Sequence, residues 1–132
     1  MLLLAWRRPR AARWAYALLF LGAGVFNAVT ALRTPEVYVT GFAPHAIGPF
    51  RDFIERVFAL APDAFVLAIA AGQALVAVAL AAGRGLLLVA GAVAAALFLV
   101  ALSWLGVGAA FPTNLVLATG AMLLVRSPAR AR

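Results

Sequence analysis

Leu86–Val107 reads LLLVAGAVAAALFLVALSWLGV, 22 residues without a single charge. A helix rising ~1.5 Å per residue carries that stretch about 33 Å, enough to cross a hydrocarbon layer of about 30 Å. Working outward, the run is preceded by Gly83-Arg84-Gly85 and a second apolar run, Ala64–Ala82. It is followed by a third, Ala109–Val125, and a fourth lies near the N-terminus at Trp14–Leu32. These runs are 17 to 22 residues long, and every charged residue lies outside them or at their rims. The pattern predicts an all-α, transmembrane four-helix bundle forming a single domain over residues 1–132.

Composition agrees. With 132 residues and 67% apolar content, a water-soluble chain of this size would leave hydrophobic surface it could not bury. The formal charge of +7 comes from eleven basic residues, all arginine, set mostly beside span ends. That placement is a topology signal and argues against nucleic acid as a partner. Cysteine is absent, which excludes disulfides, thiol redox chemistry and thiolate metal sites.

The arginines also orient the chain. Arg7, Arg8, Arg10 and Arg13 precede the first span, Arg84 sits between the second and third, and Arg126, Arg130 and Arg132 follow the fourth. On the opposite side Arg33, Arg51 and Arg56 are offset by Glu36, Asp52, Glu55 and Asp63. Short arginine-rich loops stay in the cytoplasm, so both termini are expected there. An arginine-rich start, an apolar run and the triplet Val29-Thr30-Ala31 also resemble a secretory signal. The run is long for a signal and carries polar residues, so retention as the first span is expected.

The long connection Arg33–Pro62 lies on the outer side. Thr34-Pro35 should end the first helix, because the residue before proline is pushed out of the α region. After Gly41, Pro44 and Gly48, Pro49 is placed to start a new helix. From Phe50 to Leu60, Phe50, Phe53, Ile54, Val57 and Phe58 share one helical face, with Arg51, Asp52, Glu55 and Arg56 on the other. This predicts an additional short amphipathic helix of about three turns, lying over the bundle mouth. Pro62-Asp63 then opens the second span, where a carboxylate is favoured.

Gly83-Arg84-Gly85 predicts a tight hairpin between the second and third spans, and Gly106–Pro112 a similar one between the third and fourth. Small residues at four-residue spacing, Ala64, Ala68 and Gly72 in one span and Gly91 and Ala95 in the next, would let helix backbones approach closely.

Polar residues inside the spans are few. Asn27, Thr30 and Thr34 share a face in the outer half of the first span, Gln73 is central in the second, Ser103 is in the outer half of the third and Asn114 is near the outer end of the fourth. Asn27 and Gln73 can simply join helices through their amides. They can equally line an outward-facing crevice rimmed by Arg33, Glu36, His45, Asp52 and Glu55, since intramembrane polar groups are costly without a purpose. The candidate ligand-binding set is therefore Asn27, Thr30, Arg33, Glu36, His45, Gln73 and Asn114. No catalytic set is expected. His45 is the only histidine, so two-histidine haem ligation is excluded and no transition-metal set can be completed. No span carries an acid, no nucleophile elbow or phosphate-binding loop is present, and Ser103 has no visible base.

Pro35-Glu36-Val37-Tyr38 after the first span, and Gly72-Gln73-Ala74-Leu75-Val76 followed by Gly83-Arg84, resemble the DoxX-like group of small four-helix bacterial membrane proteins. The resemblance covers most of the chain and implies residence in the bacterial cytoplasmic membrane. For some relatives it also implies association with respiratory or redox enzymes. Members often have glutamate where this chain has Gln73. Three functions are consistent with these readings. The first is a non-enzymatic accessory or assembly protein binding a partner protein or a small apolar ligand, a quinone or lipid, in the outer crevice. The second is a small-molecule transporter acting as a homo-oligomer. The third is a membrane subunit of an oxidoreductase, although no residue pattern assigns a cofactor.

Overall fold

The computed structural model describes residues 1–105 and 110–126, the side chain of Arg126 excepted. The described residues form helices α1 (Leu2–Arg7), α2 (Pro9–Arg33), α3 (Glu36–Phe42) and α4 (Pro49–Arg56), a 3-10 turn (Phe58–Leu60), and helices α5 (Pro62–Ala82), α6 (Gly85–Ser103) and α7 (Thr113–Arg126). Three of them, α2, α5 and α6, are long and apolar enough to cross a membrane. The fourth apolar helix, α7, has 14 residues and reaches only about 21 Å.

Prolines start the helices and glycine closes one. Pro9, Pro49 and Pro62 each occupy the first turn, where the missing N–H leaves no bond unmade. Gly83 ends α5 in the left-handed region at φ 60, and α6 begins two residues later. The α5–α6 hairpin is thus as expected, as is the end of α2 at Arg33 with Thr34 beyond it.

Several boundaries differ from the hydropathy reading. The first helix begins at Pro9 rather than Trp14, because Arg10 and Arg13 are good helix formers that hydropathy scores as a stop. A separate helix, α1, precedes it and packs against α7. The third span ends at Ser103, where Trp104 and Leu105 N–H groups bond to carbonyls three residues back and tighten the chain. Helix α7 begins at Thr113, since Pro112 disfavours helix at Phe111; the expected start at Ala109 lies outside the described residues. The expected outer turn at Gly106–Pro112 lies largely outside the described residues, as do Arg130 and Arg132.

The bundle runs up and down. Gly24 faces Ala70 and Gln73, whereas Arg13 lies against Gly83, so α2 and α5 are antiparallel and form the most extensive helix pair. A Cβ at Gly24 would stand 3.1 Å from the Ala70 carbonyl oxygen, so glycine permits this approach. Gly91 does the same between α6 and α5, facing Ala79 and Leu80. The other predicted stripe is overturned. Ala64, Ala68 and Gly72 are exposed, while Val66, Ala70, Gln73, Ala77 and Leu80 are buried. Alanine is so frequent in α5 that two faces carry small residues, and the one bearing Gln73 turns inward.

The main core is dominated by alanine from α2, α5, α6 and α7, with Tyr16, Phe20, Leu80, Leu88, Leu99 and Leu124 filling between. Tyr16 is fully buried and donates to the Leu117 carbonyl at 2.6 Å, tying α2 to α7. Gly120 leaves the space its hydroxyl occupies. Outward faces are apolar too: Leu18, Phe26, Leu32, Leu75, Val78 and Leu97 are all exposed. A bundle greasy outside as well as inside has lipid for its solvent.

A second core lies at the other end, where Ala31, Ala43, Ala46, Ile54, Phe58 and Val66 close a cap built from α3, α4 and the 3-10 turn. The expected three-turn amphipathic helix is shorter than predicted: α4 stops at Arg56, and the chain tightens into the turn at Phe58. Its apolar face is only partly inward. Ile54 and Phe58 are buried, whereas Phe53 and Val57 are 42% and 44% exposed. Gly41 lies at the end of α3, a helix that the sequence did not announce.

Candidate functional site

Between the two cores the cap fails to fill the bundle mouth, leaving a cavity of about 390 Å³. The bundle contributes Asn27 from α2, Gln73 from α5 and Phe98 and Leu102 from α6; the cap contributes Tyr38, Phe42, Phe50, Ile54 and Phe58. Its walls are therefore mostly aromatic and aliphatic. Phe50 stacks on Trp104 at 5.8 Å, and the Ile47 N–H bonds to the Trp104 carbonyl at 3.4 Å, which fastens the cap to α6. Phe65 contacts both Phe53 and Phe58, fastening it to α5.

The polar part is one hydrogen-bonded chain. The Tyr38 hydroxyl donates to Asn27 Oδ1 at 2.8 Å, and Asn27 Nδ2 donates to Gln73 Oε1 at 2.8 Å. Gln73 is 5% exposed. Both amide oxygens and the phenolic proton are thus engaged. Two N–H bonds of Gln73 Nε2 and one of Asn27 Nδ2 have no hydrogen-bond acceptor among the described residues. The cavity accordingly offers donors in an otherwise apolar space, the arrangement that holds an apolar molecule by a carbonyl oxygen.

Of the seven residues expected from sequence, the structure brings Asn27 and Gln73 together here. The other five do not line the cavity. Thr30 lies one turn further along α2, half-buried. Arg33 and Glu36 are exposed at the α2–α3 junction, and Thr34 is outside the helix altogether. His45 is exposed in the α3–α4 connection, with Nδ1 3.3 Å from the Gly41 carbonyl. Asn114 is buried in the first turn of α7, away from this cavity. Ser103 donates back to the Leu99 carbonyl at 3.1 Å within its own helix. The charged rim fails as a lining because the cap turns its aromatic face inward and leaves Arg33, Glu36, Asp52 and Glu55 on the exposed side.

Tyr38 and the aromatic lining were missed. Tyr38 and Phe42 are four residues apart on α3 and lie 5.9 Å ring to ring, an i, i+4 signal present in the sequence once α3 is seen as a helix. Arg51 is exposed, as its place on the polar face predicts, and it also donates from Nε to the Ala43 carbonyl and from Nη2 to the Pro44 carbonyl, both at 3.0 Å, which holds the α3–α4 connection.

No protein-family model, curated protein or solved structure matches this chain.

Proposed function

We propose that this chain is a non-enzymatic integral membrane protein that holds a small apolar ligand with a carbonyl group, a quinone ring or the ester end of a lipid, beneath its cap. The observation that carries this reading is the cavity whose polar residues form a chain ending in unused amide donors. A volume of about 390 Å³ lies within the ~300–1,000 Å³ typical of small-molecule sites. An apolar molecule entering from the bilayer loses little solvation, so the amide hydrogen bond in this low-dielectric space adds to affinity as well as fixing orientation.

In the same proposal α7 crosses the membrane with its neighbours, despite its length, by local thinning of the bilayer at that helix. The arginine-rich end faces the cytoplasm and the cap faces outward. The DoxX-like resemblance supports placement in a bacterial inner membrane and a role beside a membrane enzyme.

Purification of the full chain in mild detergent, followed by mass spectrometry of the organic extract, tests the ligand. Wild-type protein should carry a stoichiometric apolar carbonyl compound. Ala23→Phe, which places a ring in the cavity from α2, should purify folded and without it. An extract identical for both proteins contradicts the proposal.

A further inference from the structure

The opposite end of the bundle holds a feature the cavity does not explain. Arg13, on the second turn of α2, is only 9% exposed, and its Nε is sealed from solvent without a hydrogen-bond partner. Its guanidinium lies against the α5–α6 turn so closely that a Cβ on Gly83 would collide with Nη1. Arg13, Ala82, Gly83, Arg84 and Gly85 line a recess of about 520 Å³. The Trp14 ring lies 5.2 Å from the guanidinium carbon, a contact that softens the charge but accepts none of its N–H bonds in the manner of an oxygen.

Among the described residues the recess gathers two guanidinium groups and no acidic side chain, with the carboxyl end of α5 beside them. Arg84 is exposed beside it. The amino end of α6 begins here without a side-chain cap and without an acid in its first turn, leaving backbone N–H groups and the positive pole of the helix dipole. The chain's four acids, Glu36, Asp52, Glu55 and Asp63, all lie at the cap end. Asp63 and Gly83 stand at opposite ends of α5, about 30 Å apart. A buried guanidinium with no acidic side chain beside it among the described residues is unfavourable alone and is a seat for an anion.

We infer that this recess is a phosphate site, occupied by the headgroup of an anionic phospholipid from the adjacent leaflet. The recess sits where the apolar spans end, at the depth of lipid phosphates. Guanidinium and phosphate pair in a bidentate fork, and basic pockets between transmembrane helices recognise anionic headgroups. Gly83 then serves two purposes: it makes the left-handed turn, and it leaves room for Arg13 beside the phosphate.

Native mass spectrometry of the full chain, released from membranes containing equal phosphatidylglycerol and phosphatidylcholine, tests this. Wild-type protein should retain one phosphatidylglycerol in preference to phosphatidylcholine. Arg13→Gln should lower that retention by about tenfold or more. Arg84→Gln, an exposed substitution that keeps the test valid should Arg13→Gln not fold, should lower it severalfold. Arg10→Gln removes the same charge from an exposed position outside the recess and should change retention by less than about twofold. Equal retention of both lipids, or equal losses from Arg10→Gln and Arg13→Gln, would overturn the site. Millimolar inorganic phosphate that displaces the lipid and raises the melting temperature as well as the lipid does would overturn the lipid source.

Discussion

Asn27 and Gln73, 46 positions apart in the chain, join their side-chain amides at 2.8 Å across the α2–α5 interface, directly beside Gly24. The glycine brings the two backbones close enough for the amide side chains to meet, and both residues line an apolar cavity. Packing and chemistry at the site therefore share one cause.

Separating the two roles requires both stability and binding to be measured. Asn27→Leu and Gln73→Leu should each lower stability by on the order of 1 kcal/mol, the usual worth of an interhelical hydrogen bond in a membrane. Ligand retention should fall much further. Variants that lose stability yet keep the ligand at wild-type occupancy would leave these amides as helix joints alone.

Gly24, on the α2–α5 face, should behave oppositely to the exposed Gly72. Gly24→Val forces side-chain atoms onto the Ala70 carbonyl and the Gln73 Cβ, and overpacking of this kind costs about 1–3 kcal/mol. Gly72 has open space around it, so Gly72→Ala should gain about 0.5–1 kcal/mol from helix propensity. Thermal unfolding in detergent reads both, and a stabilised Gly24→Val would place the helix interface elsewhere.

Tyr16 ties α2 to α7 through the Leu117 carbonyl. Tyr16→Phe keeps the ring and removes only the hydroxyl, so the expected loss is about 1 kcal/mol. Gly120→Ala should cost more, because it drives the hydroxyl from its place as well. Differential scanning of both variants in one detergent gives the comparison; Gly120→Ala matching wild type would show that the hydroxyl does not sit there.

The cap gives the sharpest contrast within one helix. Ile54 is 4% exposed, and Ile54→Asp should cost about 3 kcal/mol or more through a buried charge. Arg51→Gln should cost about 1 kcal/mol by releasing the Ala43 and Pro44 carbonyls. Glu55→Gln, fully on the exposed side, should be neutral. Protease sensitivity of the α3–α4 connection should follow the same order, and equal sensitivity in all three would contradict the packed cap.

Much of this architecture was legible in the sequence because apolar length and proline position are local signals. Leu86–Val107 declared a spanning helix, Pro49 and Pro62 declared helix starts, and Gly83-Arg84-Gly85 declared the hairpin. Asn27 and Gln73 stand out as amides in apolar runs, and the structure brings both to one cavity. Tyr38 does not stand out, since an aromatic residue in a connection carries no such contrast until its partner across the bundle is known. Arg33, Glu36 and His45 are near the mouth in sequence but do not line the cavity, because only the rotation of the cap decides which face looks inward. The buried state of Arg13 was likewise hidden, as it depends on Gly83 approaching from another helix.

Trp104 offers the most direct test of the central claim, because it stacks on Phe50 at the cavity wall. The chain has three tryptophans, and Trp6→Phe with Trp14→Phe leaves Trp104 as the sole reporter. Titrating that protein in detergent with a short-chain benzoquinone should quench Trp104 saturably, and Gln73→Leu should weaken the apparent affinity by about tenfold, a loss of ~1.4 kcal/mol. Quenching that is linear with concentration, or identical with and without Gln73, would contradict a ligand site beneath the cap.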